Sequence, residues 1–284
     1  MLPLCAFRDS GIGRMKVAAA PLLLVAILSA YPLAAWSQTL PEEALEQVAP
    51  SPARNWDITL GTGLAESPIY PGAKRYHAHP LFFGSVSYRN LVFLGPAGLG
   101  VGIINSNGFR AGPVIGYEGG RSSSDDPHLK GLSNLQPSIM AGGFIAYRLG
   151  SFDLGGTFRQ AITHSNNGLV GRVQLDYNTS FFANRLDLEV GPEVDLGDGR
   201  FERTWFGVSN SQSARSALPA FNLGGGVTDA GAHVIFNYRY SDHILLRATG
   251  DVRQFEGSAS HSPIIETKTQ AFIGIGIGYN FRVG

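Results

Sequence analysis

The sequence predicts an all-β protein: a closed antiparallel transmembrane β-barrel of about 12 strands (roughly 10–14), preceded by a cleaved signal peptide. Three observations carry this expectation. An export-type apolar segment stands at the N-terminus, period-two alternation runs through the rest of the chain, and nothing after residue 55 is apolar over the roughly 18 residues that a spanning helix needs. Composition narrows the classes further. Glycine supplies 37 of 284 residues, and 44% hydrophobic against 15% charged residues is too apolar for a disordered chain. Basic and acidic residues cancel at 22 each, so the chain lacks the positive field that binding to phosphate backbones requires, and no nucleic-acid partner is expected. The single cysteine, Cys5, excludes a disulfide framework and a thiolate metal cluster.

Arg14 and Lys16 precede an apolar run from Val17 to Ala35, interrupted by Pro21 and Pro32 and closed by Ala35-Trp36-Ser37. Residues 1–37 therefore read as a Sec-type signal peptide, with a retained signal anchor as the alternative. Cleavage there removes Arg8, Arg14, Lys16 and Asp9, leaving a small acidic excess, and it removes Cys5 as well. Residues 38–54 are polar and Pro-bearing and read as a periplasmic lead-in. Residues 55–284 are assigned to the barrel, placed in the outer membrane of a Gram-negative cell with lipid as its first partner.

The last strand is the clearest. Ile273, Ile275, Ile277, Tyr279 and Phe281 share one face, while Phe272, Gly274, Gly276, Gly278 and Asn280 share the other. Three glycines would weaken a strand in water, but in a barrel lipid covers the apolar face and small residues line a hydrated lumen. Leu186, Leu188, Val190, Val194 and Leu196 likewise oppose Asp187, Glu189, Glu193 and Asp195, four carboxylates that a dry core would not accept unpaired. Ile244, Leu246, Ala248 and Val252 oppose Arg247, Thr249, Asp251 and Arg253. The charged residues expected to line the lumen are Asp187, Glu189, Glu193, Asp195, Arg247, Asp251 and Arg253.

Strands are expected near 55–64, 79–88, 91–104, 108–118, 136–148, 151–162, 169–178, 185–196, 200–208, 226–240, 243–254 and 269–281. Arg89-Asn90, Gly197-Asp198-Gly199 and Ser241-Asp242 are expected as periplasmic turns, and 65–78, 209–225 and 255–268 as external loops. Two connections break this scheme: 119–135 is long where a periplasmic turn is due, and the link at Gly150 is short where an outer loop is due. A soluble β-sandwich or periplasmic barrel is the alternative that periodicity alone leaves open.

Catalytic and cofactor signals are weak. Adjacent residues on a strand point to opposite faces, so His164-Ser165 and His261-Ser262 do not make a base and nucleophile without a bulge. His77 and His79 share a face, but two ligands do not make a metal site. Asp125, Asp126 and His128 read as solvated loop residues. No enzyme activity, cofactor or metal is assigned. The lumen charges suit either a solute-selective pore or a barrel plugged by ion pairs, and the narrow or plugged case is the expectation.

Several local motifs resemble those of the MipA/OmpV family of outer-membrane proteins. They are Ser67-Pro68-Ile69-Tyr70-Pro71-Gly72, Gly120-Arg121 followed by Leu129-Lys130-Gly131-Leu132, Trp205-Phe206-Gly207-Val208-Ser209, Ser262-Pro263-Ile264, and Tyr279-Asn280-Phe281. The Arg282-Val283-Gly284 tail departs from the terminal aromatic common in such barrels. The resemblance implies a non-enzymatic barrel that serves as a scaffold, holding a murein hydrolase and a murein synthase together at the cell wall. Members discussed as solute pores or adhesins keep those roles open as alternatives.

Overall fold

Alternation becomes a wall once strands pair in register. The computed structural model describes residues 56–283 apart from Asn90 and Pro96, with side chains described as far as Phe281. The expected signal peptide (1–37) and lead-in (38–54) lie outside the described residues. The strands are β1 (Trp56–Pro68), β2 (Tyr76–Tyr88), β3 (Val92–Gly95), β4 (Gly98–Val101), β5 (Ile104–Ser106), β6 (Phe109–Glu118), β7 (Ser138–Leu149), β8 (Phe152–Ala161), β9 (Leu169–Phe181), β10 (Leu186–Gly197), β11 (Gly226–Arg239), β12 (Ile244–Phe255) and β13 (Thr269–Val283). All pairings are antiparallel. β1 meets β13 from Trp56↔Val283 to Glu66↔Ile273, and β4 meets β6 at Leu99↔Ile115 and Gly100↔Val114, which closes the sheet on itself. The register against β6 slips by one residue before Ile104↔Ala111, so β4 and β5 are two halves of one bulged strand and the wall has twelve crossings.

The expected count is reached by two compensating corrections. Residues 91–104, expected as one strand, fold as the hairpin of β3 with β4; Gly98, at φ +115°, turns the chain back. Residues 200–208, expected as a strand, form helix α1 (Gly199–Phe206). Its apolar residues Phe201, Trp205 and Phe206 recur at helical spacing. Asp198 caps it, its carboxylate accepting from the backbone N–H groups of Arg200 (3.0 Å) and Phe201 (2.8 Å). Gly197-Asp198-Gly199 is therefore a helix start and not a periplasmic turn. The extra strand reverses the direction of everything from 109 to 197. This reversal removes both anomalies, because 119–137 becomes a long loop at the outer end and the turn at Gly150 a short one at the periplasmic end.

One end carries both ends of the described chain and the tight turns, where Arg89, Asn107, Phe182, Ala183 and Asn184 take positive φ. The other carries the long connections 69–75, 119–137, 162–168, 198–225 and 256–268. In outer-membrane barrels the short-turn end faces the periplasm. The outer surface is a belt of large apolar residues: Ile273, Ile275 and Ile277 are 60%, 61% and 51% exposed, and Leu64 64%. Such a belt belongs in lipid. Near the short-turn end aromatic pairs form a girdle: Trp56–Tyr88, Phe152–Tyr177 and Tyr279–Phe281, with ring centroids 4.7, 5.2 and 4.8 Å apart. Among the described residues no helix is long and apolar enough to cross a membrane; the strands do so instead.

The glycine face of β13 departs from expectation. It does not open onto water but seats an aromatic ring: Cβ atoms built at Gly61 and Gly276 would lie 2.2 and 2.6 Å from the Phe83 ring. Ala65, Leu81 and Phe272 pack beside it, and Phe93, Val114 and Phe144 form a second dry cluster further round. The interior is therefore mainly apolar around Phe83 and around Phe93, Val114 and Phe144, with Arg110 of β6 buried beside them as a charged exception, and charged along β9–β12.

Candidate functional site: a capped chamber with a charged floor

The long loops fold together over the outer mouth. Tyr70, Ala73, Leu129, Leu132, Val208, Leu218 and Ile264, drawn from four different connections, share one buried cluster. Trp205, Phe206, Leu223, Phe255 and Ala259 form a second beneath it. Polar contacts tie the loops to one another. The Tyr70 hydroxyl donates to the Ile264 carbonyl (3.2 Å), Arg121 Nη1 to the Trp205 carbonyl (2.7 Å), Ser262 Oγ to the Phe206 carbonyl (2.6 Å), and Arg75 Nε to Asp126 (2.7 Å). Most motifs that carry the family resemblance lie here: Tyr70, Arg121, Leu129, Leu132, Trp205, Val208 and Ile264 are cap residues.

Burial sets the electrostatics of the cap. It pushes the Arg121 guanidinium down to about 10. It also pushes the Glu202 carboxyl up to about 7; the hydrogen bond from the Thr228 hydroxyl opposes this and nearby Asp198 adds to it. Burial alone would raise Asp126, but the His128 backbone N–H and Arg75 outweigh it and hold the carboxyl below its ordinary value. Asp126 is 5% exposed, so it is a buried cap residue and not the solvated loop carboxylate expected from sequence. Gly168, at φ +74°, lets the chain pass under α1, since a Cβ there would sit 2.3 Å from the Phe201 nitrogen.

Beneath α1 lies a chamber of about 190 Å³, roofed by Phe201, Trp205 and Phe206 and floored by Arg172, Asp195, Asp229, Asp251 and Arg253. The floor is a network of ion pairs. Arg172 makes a two-pronged contact with Asp195 (2.6 Å on each arm) and reaches Glu193 at 3.6 Å. Arg253 contacts Asp195 (2.7 Å), Asp251 (2.8 Å), Asp229 (3.6 Å) and Glu193.

Of the residues singled out from sequence, Glu193, Asp195, Asp251 and Arg253 thus converge in this network. Glu189 lies next to it, with Oε1 3.5 Å from His233 Nε2. Two stand apart. Asp187 pairs with Arg239 and accepts from Ser180 (2.6 Å) near the short-turn end. Arg247 donates to Asn237 (2.7 Å) and lies over the Phe83 ring at 5.1 Å. Ile273, Ile275, Ile277, Tyr279 and Phe281 point away from the interior and are exposed. Sequence reasoning did not single out Arg172, Gln174 and Asp176 on β9, although they alternate with Val173, Leu175 and Tyr177 as regularly as the residues of β10.

The His–Ser pairs do not assemble. His164 sits at φ +49° with Nδ1 2.8 Å from the Pro137 carbonyl, and the Ser262 hydroxyl is engaged by Phe206. The His77 and His79 rings lie tilted by 36° with centroids 5.0 Å apart, and His79 Nε2 lies 3.0 Å from the Ser67 hydroxyl.

The sequence profile described as MltA-interacting protein MipA matches residues 60–281. No curated protein matches the chain. Solved structures with a similar course include the translocator domain of the autotransporter NalP from Neisseria meningitidis (11% identity over 84% of this chain and 93% of that chain, TM-score 0.41). An outer membrane channel from Pseudomonas putida F1 shares 9% identity, covering 86% of this chain and 100% of that chain at a TM-score of 0.43.

Proposed function

The chain belongs to the MltA-interacting protein (MipA) family, and from that premise we propose that this outer-membrane barrel is a non-enzymatic scaffold for murein-processing enzymes. The observation that carries the reading is the family match, whose namesake is described as a partner of MltA. The closed mouth supports it: loops that share a buried apolar core, over a floor of interlocked ion pairs, suit a rigid platform better than a conduit. Enzyme contact falls to the periplasmic turns and to residues 38–54, which precede the barrel at its periplasmic end.

Immobilised barrel in detergent is expected to capture a purified murein hydrolase, and deletion of 38–54 to weaken capture. Failure to retain either a murein hydrolase or a murein synthase would overturn the role. A narrow solute pore is the second reading, favoured by the charged chamber. Planar-bilayer recording separates the two: the scaffold reading expects no conductance above background, and a steady conductance would favour the pore.

A further inference from the structure

One buried carboxylate oxygen in the barrel interior, Asp176 Oδ1, has no hydrogen-bond partner. His233 on β11 faces Gly191 on β10, and the pairs Val190↔Tyr177 and Glu193↔Gln174 set Asp176 of β9 against the same glycine from the other side. With no side chain at Gly191, the imidazole and the carboxylate meet over it; a Cβ there would lie 2.5 Å from Asp176 Oδ1. Glu189, two residues along β10, completes the group. His233 Nε2 lies 3.3 Å from Asp176 Oδ1 and 3.5 Å from Glu189 Oε1, and the three residues are 5%, 1% and 5% exposed in the order His233, Asp176, Glu189.

A protonated ring nitrogen does not account for this arrangement. One N–H shared between two carboxylates makes only a weak bond to each, and both distances exceed the roughly 2.7–2.9 Å of a charge-assisted hydrogen bond. Asp176 Oδ1 has no hydrogen-bond partner although it is fully buried, a costly state for an anionic oxygen. In the adjacent network Arg172 contacts Glu193 and Asp195, and Arg253 contacts Glu193 and Asp251.

We propose that Asp176, Glu189 and His233 hold one divalent transition-metal ion of the zinc type. Their three donor atoms lie within 4.8 Å of one another. The two measured edges match the edge of about 3.4 Å of a tetrahedron built on bonds of roughly 2.1 Å to nitrogen and carboxylate oxygen. A mixed nitrogen and oxygen set without thiolate suits zinc better than magnesium or calcium, which take oxygen ligands. The outer shell is in place. Gln174 Nε2 donates to Asp176 Oδ2 (2.7 Å) and fixes that carboxylate, and Glu193 Oε2 lies 3.7 Å from His233 Nδ1, where it favours the tautomer that leaves Nε2 free to bind metal. His233 also faces Asp251 across the next strand pair, and Asp251 lines the chamber, so the site adjoins that space. An ion there ties β9, β10 and β11 together from inside, and the fourth position is left for water.

The test uses the untagged mature barrel refolded in detergent micelles, stripped with EDTA, and titrated with Zn²⁺ by calorimetry with elemental analysis after desalting. One zinc per barrel is expected, with affinity weakened at least about tenfold in Asp176→Asn and His233→Gln. A Zn²⁺-dependent rise in unfolding temperature, reversed by EDTA, is expected of the unmutated barrel and needs no variant. Absence of retained zinc, absence of that rise, or equal affinity in both folded variants would overturn the site. The scaffold reading is tested separately by enzyme capture, so either can fail alone.

Discussion

The two halves of the barrel interior solve the same problem by opposite means. Along β9–β12 inward positions carry charge, and Arg172 and Arg253 neutralise the carboxylates around them. Along β1–β3 and β6–β7 phenylalanine and glycine predominate, with Arg110 buried as the charged exception, and the space is filled by Phe83 lying over Gly61 and Gly276 and by Phe93 against Phe144. The charged half keeps a two-residue period, broken by one register slip between β10 and β11 at Asp195/Leu196, because inward side chains there pair with partners on the adjacent strand. The aromatic half is irregular: one ring covers several glycines, and the wall shortens into the β3–β4 hairpin. Electrostatic pairing fixes register strand by strand, whereas ring-on-glycine packing requires empty space at chosen positions.

That contrast ranks the expected effects of substitution. The largest is at Gly61→Val, where even the first added carbon would collide with the Phe83 ring; refolding in detergent, read as a heat-dependent mobility shift, is expected to be lost. If the variant folds with unchanged yield, the aromatic half is looser than described. Next is Arg253→Met, which strips Glu193, Asp195 and Asp251 of a shared cation and is expected to cost about 3–5 kcal/mol in denaturant unfolding. A loss below about 1 kcal/mol, the range of exposed ion pairs, would mean that water and not the arginine stabilises the floor.

The cap adds a prediction in pH. Burial raises the Glu202 carboxyl from 4.5 to about 7, so the folded cap holds that proton more tightly than the unfolded chain. The Glu202 contribution is therefore full below about pH 4.5, declines as pH rises toward 7, and is flat above. Protease sensitivity of the loops should increase across that window, and Glu202→Gln should remove the dependence; an unchanged slope in the variant would place the titration elsewhere. The smallest effect is expected at Asp187→Asn. Its partner Arg239 is 52% exposed, so the change should stay below about 1 kcal/mol.

Legibility in the sequence follows the same division. The alternation of β10, β12 and β13 was plain, because each strand there runs with unbroken period two. The β3–β4 hairpin was not, since Val92 to Val101 offers only two four-residue strands and reads as one long one. The segment of helix α1 reads as a strand because its eight residues are short, although Asp198 before Phe201, Trp205 and Phe206 carries a cap and a helical stripe. The cap as a unit could not be read: Tyr70, Leu129, Val208 and Ile264 lie far apart in sequence, and only closure of the barrel brings their loops together. For the same reason Asp176 and His233 became a pair only when Gly191 was seen between them.

The central claim is a sheet closed on itself with lipid outside and its own side chains inside. Spin labels at Ile273→Cys, Ile275→Cys and Ile277→Cys, in mature barrel reconstituted into lipid bilayers, test it most directly; the chain's single natural cysteine, Cys5, lies within the expected signal peptide. At all three positions collisions with dissolved oxygen should dominate over collisions with a water-soluble nickel chelate. Nickel-dominated relaxation at these positions would place the isoleucines against water and contradict the account.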